Sequence, residues 1–264
     1  MTALVIVLTP YWLRINLIFL KSKQEINRMR TACKIVADIL YELKLMISPG
    51  VTTYDLERFA SSKAKLNNAK CAFLGYHNYP SSLCCSLNDQ VVHGLPTKVP
   101  LKQGDIISLD FGVLIDDFYG DSAATYAVGT VSDNASALLT TTELSLFAGI
   151  EKAVPGNRLG DISFAVQTYV EERGFSVVRD FVGHGIGRNL HEDPQVPNYG
   201  RPGKGVLLKP GMVLAIEPMI NEKNHDVKVL NDKWTVVTCD GGLSAHFEHT
   251  VAITENGPEI LTLV

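Results

Sequence analysis

A strict alternation of apolar and polar residues over positions 106–113 predicts a β-strand near the middle of the chain. The apolar residues alternate with Asp110 and Gly112, which is the period of a half-buried strand, and Asp110 therefore lies on the polar face. A turn near positions 115–117 and a second strand follow. A loop with an even number of residues then leaves Asp110 and Asp121 on the same face of a hairpin.

Two carboxylates on one face of a hairpin repel each other, so we expect a cation between Asp110 and Asp121. A metal ion is the first hypothesis. The alternative is that one aspartate caps the turn while the other is solvated, which needs no ion.

Apolar positions three and four residues apart predict helices on either side of this hairpin. The first helix begins after Ser22, which stands three residues before Glu25 as in a capping box, and it ends before a Pro-Gly pair. A second helix is expected at positions 55–66, behind threonine caps. Two more are expected at positions 135–153 and 161–173.

An internal repeat indicates that the chain is built from two similar halves. The string PGVTTYDL, from Pro49, recurs as PGNRLGDI, from Pro155, about 106 residues later. Likewise LKQGDIISLD, from Leu101, recurs as LKPGMVLAIE, from Leu208, about 107 residues later. Two matches in the same order at nearly the same offset predict a duplicated helix, helix and strand unit.

The repeat adds two carboxylates to the first pair. Glu217 is equivalent to Asp110, and the alternating strand SAHFEHTVAIT presents Glu248 as the counterpart of Asp121. About twenty residues, near 221–239, are inserted into the second hairpin. If the halves pack about a pseudo-twofold axis, the four carboxylates converge there, and the solvated-aspartate alternative does not explain all of them.

The composition narrows the class of protein. A chain of 264 residues with 46% hydrophobic and 20% charged residues is typical of a globular protein with one core. A net charge of -4 and the absence of any run of Lys or Arg exclude a nucleic-acid-binding surface. The five cysteines are odd in number and lack CxxC spacing, which favours a reduced, cytoplasmic protein over a disulfide framework or a zinc knuckle.

The first twenty residues are strongly apolar but are interrupted by Pro10, Arg14 and Asn16, and they lack a basic start. This pattern argues against a signal peptide or a membrane anchor and favours an extra strand or an extension outside the fold. We expect an apolar N-terminal extension at 1–20 and a single domain at 21–264, with halves at 22–132 and 133–264.

A glycine-rich segment, FVGHGIGRN, surrounds a single histidine, His184. Alternating glycines let the backbone approach a site closely and leave His184 as the functional side chain. With no Lys and no GxGxxG spacing, the segment does not fit a phosphate loop. A buried structural histidine is the alternative interpretation.

Four carboxylates and one imidazole form an oxygen-rich ligand set that suits Mn, Fe(II) or Co and differs from the Cys-rich sites of structural zinc. Five ligands with bridging carboxylates are enough for two ions. Two ions about 3.5 to 4 Å apart can share a water, lower its pKa and polarise a carbonyl, which is the chemistry of metal-assisted amide hydrolysis.

The segments NDQVVHGLP, GHGIGRNLHEDPQVPN, AIEP and FEHT resemble those of the type I methionine aminopeptidases, in the same order and over almost everything from Ser22 to Leu263. The resemblance implies an α+β pita-bread fold, a pseudo-twofold antiparallel sheet flanked by two helix pairs, which agrees with the repeat. It implies a dinuclear metal hydrolase that removes the initiator methionine from nascent proteins when the second residue is small, by metal-activated water attack on the peptide carbonyl.

The resemblance also assigns residues. The implied metal ligands are Asp110, Asp121, His184, Glu217 and Glu248. The implied catalytic residues are His93 and His191, which contact the scissile peptide, and Glu217, which shuttles protons. The implied substrate-binding residues are Phe73, Tyr76, Tyr79, Cys84, His93, Leu190, His191 and Trp234. A monovalent cation held by backbone near Asn88, Gln90 and Ser244 is implied as well.

Two pocket residues depart from the commonest family pattern, since Phe73 stands where cysteine is frequent and Leu190 where an aromatic residue is frequent. For Tyr76 and Trp234, plain core packing is the alternative to a place in the pocket. The expected partners are the N-termini of nascent chains near the ribosome, with no nucleic acid and no membrane, and the expected state is a monomer.

Three other interpretations compete with this one. Xaa-Pro aminopeptidases and prolidases share the fold and a similar ligand set, but they resemble chains with a large additional N-terminal domain. Type II methionine aminopeptidases carry a longer insertion in the second half. A pita-bread binding module without catalysis would have lost ligands, whereas all five positions are intact here.

Overall fold

A computed structural model describes residues 18–263 of the chain. The helices are α1 (Lys23–Met46), α2 (Thr53–Leu66), α3 (Asp133–Ile150) and α4 (Leu159–Glu171). The strands of the first half are β1 (Lys70–Cys71), β2 (Cys84–Leu87), β3 (Gln90–Val92), β4 (Ile106–Ile115) and β5 (Phe118–Ala127). Those of the second half are β6 (Ser176–Val177), β7 (Gly183–Gly185), β8 (Glu192–Val196), β9 (Val213–Ile216), β10 (Met219–Asn221), β11 (Val227–Val229), β12 (Val236–Thr238), β13 (Ser244–His246), β14 (Glu248–Thr254) and β15 (Gly257–Ile260).

The main sheet joins strands from both halves of the chain. Its order is β1-β4-β5-β14-β9-β7-β8, with β15 beside β14 and β2 beside β4, and its pairs are antiparallel. Two smaller sheets, β13-β10-β6 and β11-β12-β3, complete the described part of the chain. Strands β11 and β12 lie within the segment predicted as an insertion, and β12 pairs with β3, so the insertion extends a sheet.

The hairpin of β4 and β5 confirms the predicted arrangement of the first two carboxylates. Asp116 and Asp117 both have positive φ and form a two-residue loop, the turn that matches the twist of a β-hairpin. In this register Asp110 pairs with Ala123 and Asp121 pairs with Gly112, so the two carboxylates are diagonal neighbours on one face. The expectation of a half-buried strand is wrong, because both faces of β4 are largely buried.

The two halves meet where β5 pairs with β14. This seam is short, with Ala123 opposite Glu248 and Ser122 opposite His249. Side chains reinforce it, since the Ser122 hydroxyl donates to the Glu248 carbonyl over 2.6 Å. The Thr250 hydroxyl likewise donates to the Asp121 carbonyl over 2.7 Å. The seam therefore holds one carboxylate from each half at a fixed separation.

The predicted continuous strand SAHFEHTVAIT is wrong in one respect, because it is interrupted at Phe247. His246 ends β13 in a small sheet and Glu248 begins β14 in the main sheet. The chain bends similarly after Ile216, so Glu217 lies between β9 and β10 and not within a strand. Glu217 and Glu248, which lie at or directly after these interruptions, both line one cavity.

Each half has a helix pair that covers its part of the sheets. Helix α1 packs against β4 and β5, and α3 packs against α4, β10 and β13. The capping box between Ser22 and Glu25 is confirmed, with Thr52 as the cap of α2. The third and fourth helices both begin and end two or three residues before the predicted positions.

A buried ion pair ties the segment before α1 to the second half. The Lys21 ammonium lies 2.5 Å from a carboxylate oxygen of Glu192, and both side chains are almost fully buried. The Lys21 backbone N–H donates to the Gly211 carbonyl over 2.7 Å, and half-buried Ile18 packs against the core of the second half. Most of the predicted apolar extension falls on residues 1–17, outside the described residues. No helix within residues 18–263 is long and apolar enough to cross a bilayer.

Lys21→Met should lower the free energy of unfolding by about 3 to 5 kcal/mol, because it leaves the Glu192 carboxylate buried without its partner. Urea unfolding measures this. The matched control is Arg30→Met, which breaks the more exposed pair of Arg30 with Glu259 and should cost at most about 1 kcal/mol. Equal losses in the two variants would show that the Lys21 pair contributes no more than a surface ion pair.

Candidate functional site

A cavity of about 170 Å³ opens among the carboxylates at the seam. Its walls contain every residue predicted for the metal or the substrate, with His77 in addition. The lining residues are Phe73, Tyr76, His77, Tyr79, Cys84, His93, Asp110, Asp121, His184, Leu190, His191, Glu217, Trp234 and Glu248. Sequence reasoning missed His77, which has no motif of its own and lies next to Tyr76 in a short 3-10 turn.

The carboxylates in this cavity lack the hydrogen bonds that buried oxygens normally have. Within residues 18–263, the fully buried side-chain atoms without a partner are Asp110 Oδ1, Asp121 Oδ1, Glu248 Oε1 and His246 Nε2. All four lie at or beside this one cavity. An unsatisfied buried polar group costs about 1 to 3 kcal/mol. Four of them gathered in one place therefore indicate a site for a ligand that can bond to them.

The donor atoms are also spaced as a cation site requires. One ligand atom from each of Asp121, His184 and Glu248 lies within 4.8 Å of the other two. Glu217 joins this group, since its Oε1 lies 3.5 Å from His184 Nε2. Buried carboxylate oxygens and one imidazole nitrogen are the donors that divalent transition metals accept, so the residues present fit the predicted ion.

Burial raises the pKa of all four carboxyl groups well above their usual range, and their mutual repulsion adds to the effect. The second cause, after burial, is the charge of a neighbouring carboxylate. The charge of Glu217 raises the pKa of Asp110, and the charge of Asp121 raises the pKa values of Glu217 and Glu248. The metal-free fold therefore favours protons on these groups. The contribution of these groups to the free energy of unfolding is greatest below their pKa in the unfolded chain, near 4. It is lost as the pH rises through their raised pKa values in the folded state.

His184 lies in β7, and the backbone carbonyl of the next residue fixes its ring. Its Nδ1 is 2.9 Å from the Gly185 carbonyl, so Nδ1 carries the proton and Nε2 presents a lone pair to the cavity. Burial lowers its pKa to about 3, and nearby His191 adds to this. The glycines on either side are explained by close strand packing, because a Cβ at Gly183 would lie 2.3 Å from the Ala215 carbonyl.

His191 lies on a loop that one carboxylate holds in place. A Glu192 oxygen accepts from the backbone N–H groups of Arg188 and Asn189, while the other oxygen binds Lys21. The Tyr76 hydroxyl lies 2.8 Å from His191 Nδ1, across the cavity mouth. Burial lowers the pKa of His191 to about 4, with contributions from His93 and His77, so the ring is neutral at pH 7.

His93 faces the site from the opposite wall. Its backbone has φ of 59°, a left-handed conformation that few residues other than glycine adopt. Its ring stands edge-on to Phe181, with 5.6 Å between centroids. Burial lowers its pKa, so this ring is also neutral at pH 7.

The remaining walls are apolar. Tyr79 and Trp234 meet edge to face with ring centroids 5.2 Å apart, and the Tyr79 hydroxyl donates to the Gly94 carbonyl. Phe73 and Leu190, the two departures from the family pattern, are both buried beside them. Tyr76 and Trp234 line the cavity and are not confined to the core.

The residues expected near a monovalent cation are adjacent, since the Ser244 N–H donates to the Asn88 carbonyl. Their side chains are already bonded within the protein. Asn88 bonds Asp105 and the Ile106 N–H, and Gln90 accepts from the Leu87 N–H. The cation remains a prediction.

Comparisons with known proteins agree with this geometry. Residues 27–255 match the model of metallopeptidase family M24. The chain is 55% identical to a methionine aminopeptidase of Clostridium perfringens over 248 residues, which cover 94% of this chain and 100% of the relative. The crystal structure of the methionine aminopeptidase from Thermotoga maritima matches with a TM-score of 0.93 and 49% identity, over 94% of this chain and 100% of that one.

A more distant likeness is to the prolidase from Pyrococcus furiosus, with a TM-score of 0.74 and 22% identity over 93% of this chain and 65% of that one. At this identity the likeness concerns the fold alone. Together these matches confirm the predicted α+β pita-bread architecture.

Glu248→Gln should raise the free energy of unfolding of the metal-free protein at pH 7 by about 1 to 3 kcal/mol, the order of the cost of a buried polar group without a partner. The native carboxyl group must either take up a proton or keep a charge that has no partner in the cavity. Chemical denaturation with a chelator present measures the change, and added Mn²⁺ should stabilise the native sequence more than the variant.

The control for this prediction is Glu255→Gln, which removes an exposed charge just beyond the same strand and should change neither quantity. A metal-free Glu248→Gln protein less stable than the native one would mean that the Glu248 carboxylate is already well paired.

Proposed function

This chain belongs to metallopeptidase family M24, and on that premise we propose that it removes the N-terminal methionine from nascent proteins whose second residue is small. The observation that carries the proposal is a cavity in which four buried carboxylates, three of them with an unpaired oxygen, adjoin an apolar pocket. One part suits a divalent metal, and the other suits an apolar side chain.

The residues that would hold the metal are Asp110, Asp121, His184, Glu217 and Glu248. Four carboxylates can bridge, so the set is sufficient for two divalent ions, and Mn, Fe(II) and Co suit its donors. The support comes from the unpaired oxygens and from the Nε2 lone pair of His184. When bound, such ions supply an acidified water and a polarised peptide carbonyl.

Glu217 is the proposed carrier of protons. Its carboxyl group is buried in the cavity, with Oε1 3.5 Å from His184 Nε2, and a carboxylate so placed can accept a proton from a water held between the ligands. It would take a proton from the attacking water and pass it to the leaving amine of the second residue.

His93 and His191 are the proposed contacts of the scissile peptide. Both rings are neutral, so each has one N–H and one lone pair. Tyr76 occupies Nδ1 of His191, and if its hydroxyl donates there, Nε2–H of His191 is free to donate to a substrate carbonyl. The Glu192 carboxylate keeps that ring in position by holding the loop.

The pocket suits methionine in size and chemistry. A volume of about 170 Å³ is well below the roughly 300 to 1,000 Å³ of sites for drug-sized molecules, so it takes one side chain. Its apolar wall, from Phe73, Tyr79, Cys84, Leu190 and Trp234, matches a flexible thioether. The same enclosure supports a limit on the size of the second residue, since overpacking a tight site is costly.

A proline-specific peptidase is the second candidate function, because the prolidase likeness shows that the same fold serves that chemistry. The apolar pocket and the much higher identity to methionine aminopeptidases favour the first candidate. The intact ligand set argues against a binding module without catalysis. The proposed substrates, nascent chains, imply a monomeric enzyme in the cytoplasm near the ribosome.

His184→Ala should lose most of its metal content, whereas His191→Ala should keep its metal and lose turnover by about 100-fold, because His184 offers a lone pair to the ion and His191 faces the peptide. Metal analysis of purified protein and steady-state kinetics separate the two effects. His225→Ala removes an exposed histidine and is the control. Equal metal loss in His184→Ala and His191→Ala would contradict the assigned roles.

Metal-loaded protein should release methionine from Met-Ala-Ser and roughly 10- to 100-fold more slowly from Met-Lys-Ser, because the larger second residue overpacks the cleft. Chelator-treated protein should be inactive and should recover with Mn, Fe(II) or Co.

Competition with Ala-Pro-Ala decides between the candidate functions. Preference for Ala-Pro-Ala would support the proline-specific alternative. Cleavage of neither peptide by metal-loaded protein would support the binding module.

A further inference from the structure

His246 is a buried histidine beside the cavity to which the sequence assigned no role. Its side chain is almost fully buried, and its Nε2 has no hydrogen-bond partner within residues 18–263. Oε2 of Glu217 lies 3.4 Å from this Nε2. A buried polar atom aimed at a functional carboxylate calls for an explanation.

The backbone of His246 is fixed from two sides. Its N–H donates to the Thr125 hydroxyl over 2.9 Å, and its carbonyl accepts from the same hydroxyl over 2.8 Å. On the other side His246 pairs with Met219 in the ladder of β13 and β10. These bonds fix the backbone of His246, and its buried ring lies beside Glu217.

The two oxygens of Glu217 face two histidines of different character. His184 turns a lone pair toward Oε1, because its proton is held at Nδ1 by the Gly185 carbonyl. A lone pair and a carboxylate oxygen attract each other only through a cation. The other oxygen, Oε2, needs a hydrogen-bond donor. The Nε2–H of His246 is close enough to be that donor.

We propose that His246 is a positioning residue whose Nε2–H donates to Oε2 of Glu217 and thereby directs Oε1 toward His184. The contact is a few tenths of an ångström longer than an ordinary hydrogen bond, and such bonds commonly tighten when a site is loaded. This inference rests on the proposed function, because that function gives Glu217 its ligand and proton-carrying roles.

A neighbouring histidine supplies the matched control. His249 is also largely buried and lies three residues further along the chain, but its Nδ1 bonds the Thr262 hydroxyl and its ring packs near Phe147. Its backbone follows Glu248, but the hydrogen bond and the ring contact of its side chain are made with Thr262 and Phe147 and not with a predicted metal ligand. Conservative changes at His249 therefore report the effect of disturbing this part of the sheet.

The experiment compares His246→Gln, His246→Leu and His249→Gln in the full chain. Mn²⁺ affinity is measured by calorimetry on chelator-stripped protein, and kcat and KM are measured with Met-Ala-Ser. His246→Leu should lose 10- to 100-fold in Mn²⁺ affinity or in kcat, with KM within about threefold, as is typical when a partner of a metal ligand is removed. His246→Gln retains an N–H donor and should stay within about threefold of the native protein, as should His249→Gln.

Three outcomes would overturn the proposal. Equal losses in His246→Gln and His246→Leu would mean that the ring acts by packing alone, and no loss in His246→Leu would mean that it has no role. A much larger loss of affinity with fewer ions bound would make His246 a metal ligand.

If His246→Leu fails to fold, His246→Asn takes its place in the comparison with His246→Gln. The amide of Asn is too short to reach Glu217. Failure of the native protein to cleave Met-Ala-Ser would refute the proposed function, while the Mn²⁺ affinities would still decide the role of His246.

Discussion

Four carboxylates buried within one cleft are the constraint on which the rest of the structure depends. Carboxylates so close together and so far from water repel one another, and each prefers a proton or a cation to its bare charge. A flexible protein would relieve the repulsion by moving them apart. Here the hairpin, the seam and the bends beside Glu217 and Glu248 prevent this, so the energetic cost remains as affinity for a positive ion.

The carboxylates and the apolar pocket lie on different parts of the fold. Three of the four carboxylates lie on strands of the main sheet and Glu217 directly follows one, and this chain shares that fold with proteins as different as a prolidase. The pocket is built mostly from segments between strands, with Tyr76 on a short turn, Leu190 and His191 on the segment that Glu192 holds, and Trp234 on the insertion, while Cys84 begins β2. Fold likeness alone therefore says little about the substrate, and the identity of the loop residues says more.

Much of this architecture could be predicted from the sequence, because its signals are local. The alternation around Asp110, the even loop after it and the repeat that makes Glu217 its counterpart are all readable without a structure. The predicted strands were less accurate where the chain bends, at Glu217 and Phe247, since those bends depend on strands that are distant in the sequence.

Pairs distant in sequence could not be predicted for the same reason. The contact of Lys21 with Glu192 and that of His246 with Glu217 join residues that carry no shared motif. His77 was missed because an exposed turn residue next to a tyrosine has no pattern that distinguishes it. Burial and partner geometry, which only the folded chain supplies, reveal the two contacts, and the lining of the cavity reveals His77.

The short seam between β5 and β14 has a consequence for how the molecule folds. Asp110 and Asp121 come from one half, and His184, Glu217 and Glu248 from the other, so neither half alone contains a complete ion site. An ion bound by the proposed ligands would therefore contact both halves of the chain, and its binding free energy would add to their docking. The same ion that supplies the proposed chemistry would then also stabilise the short seam between β5 and β14.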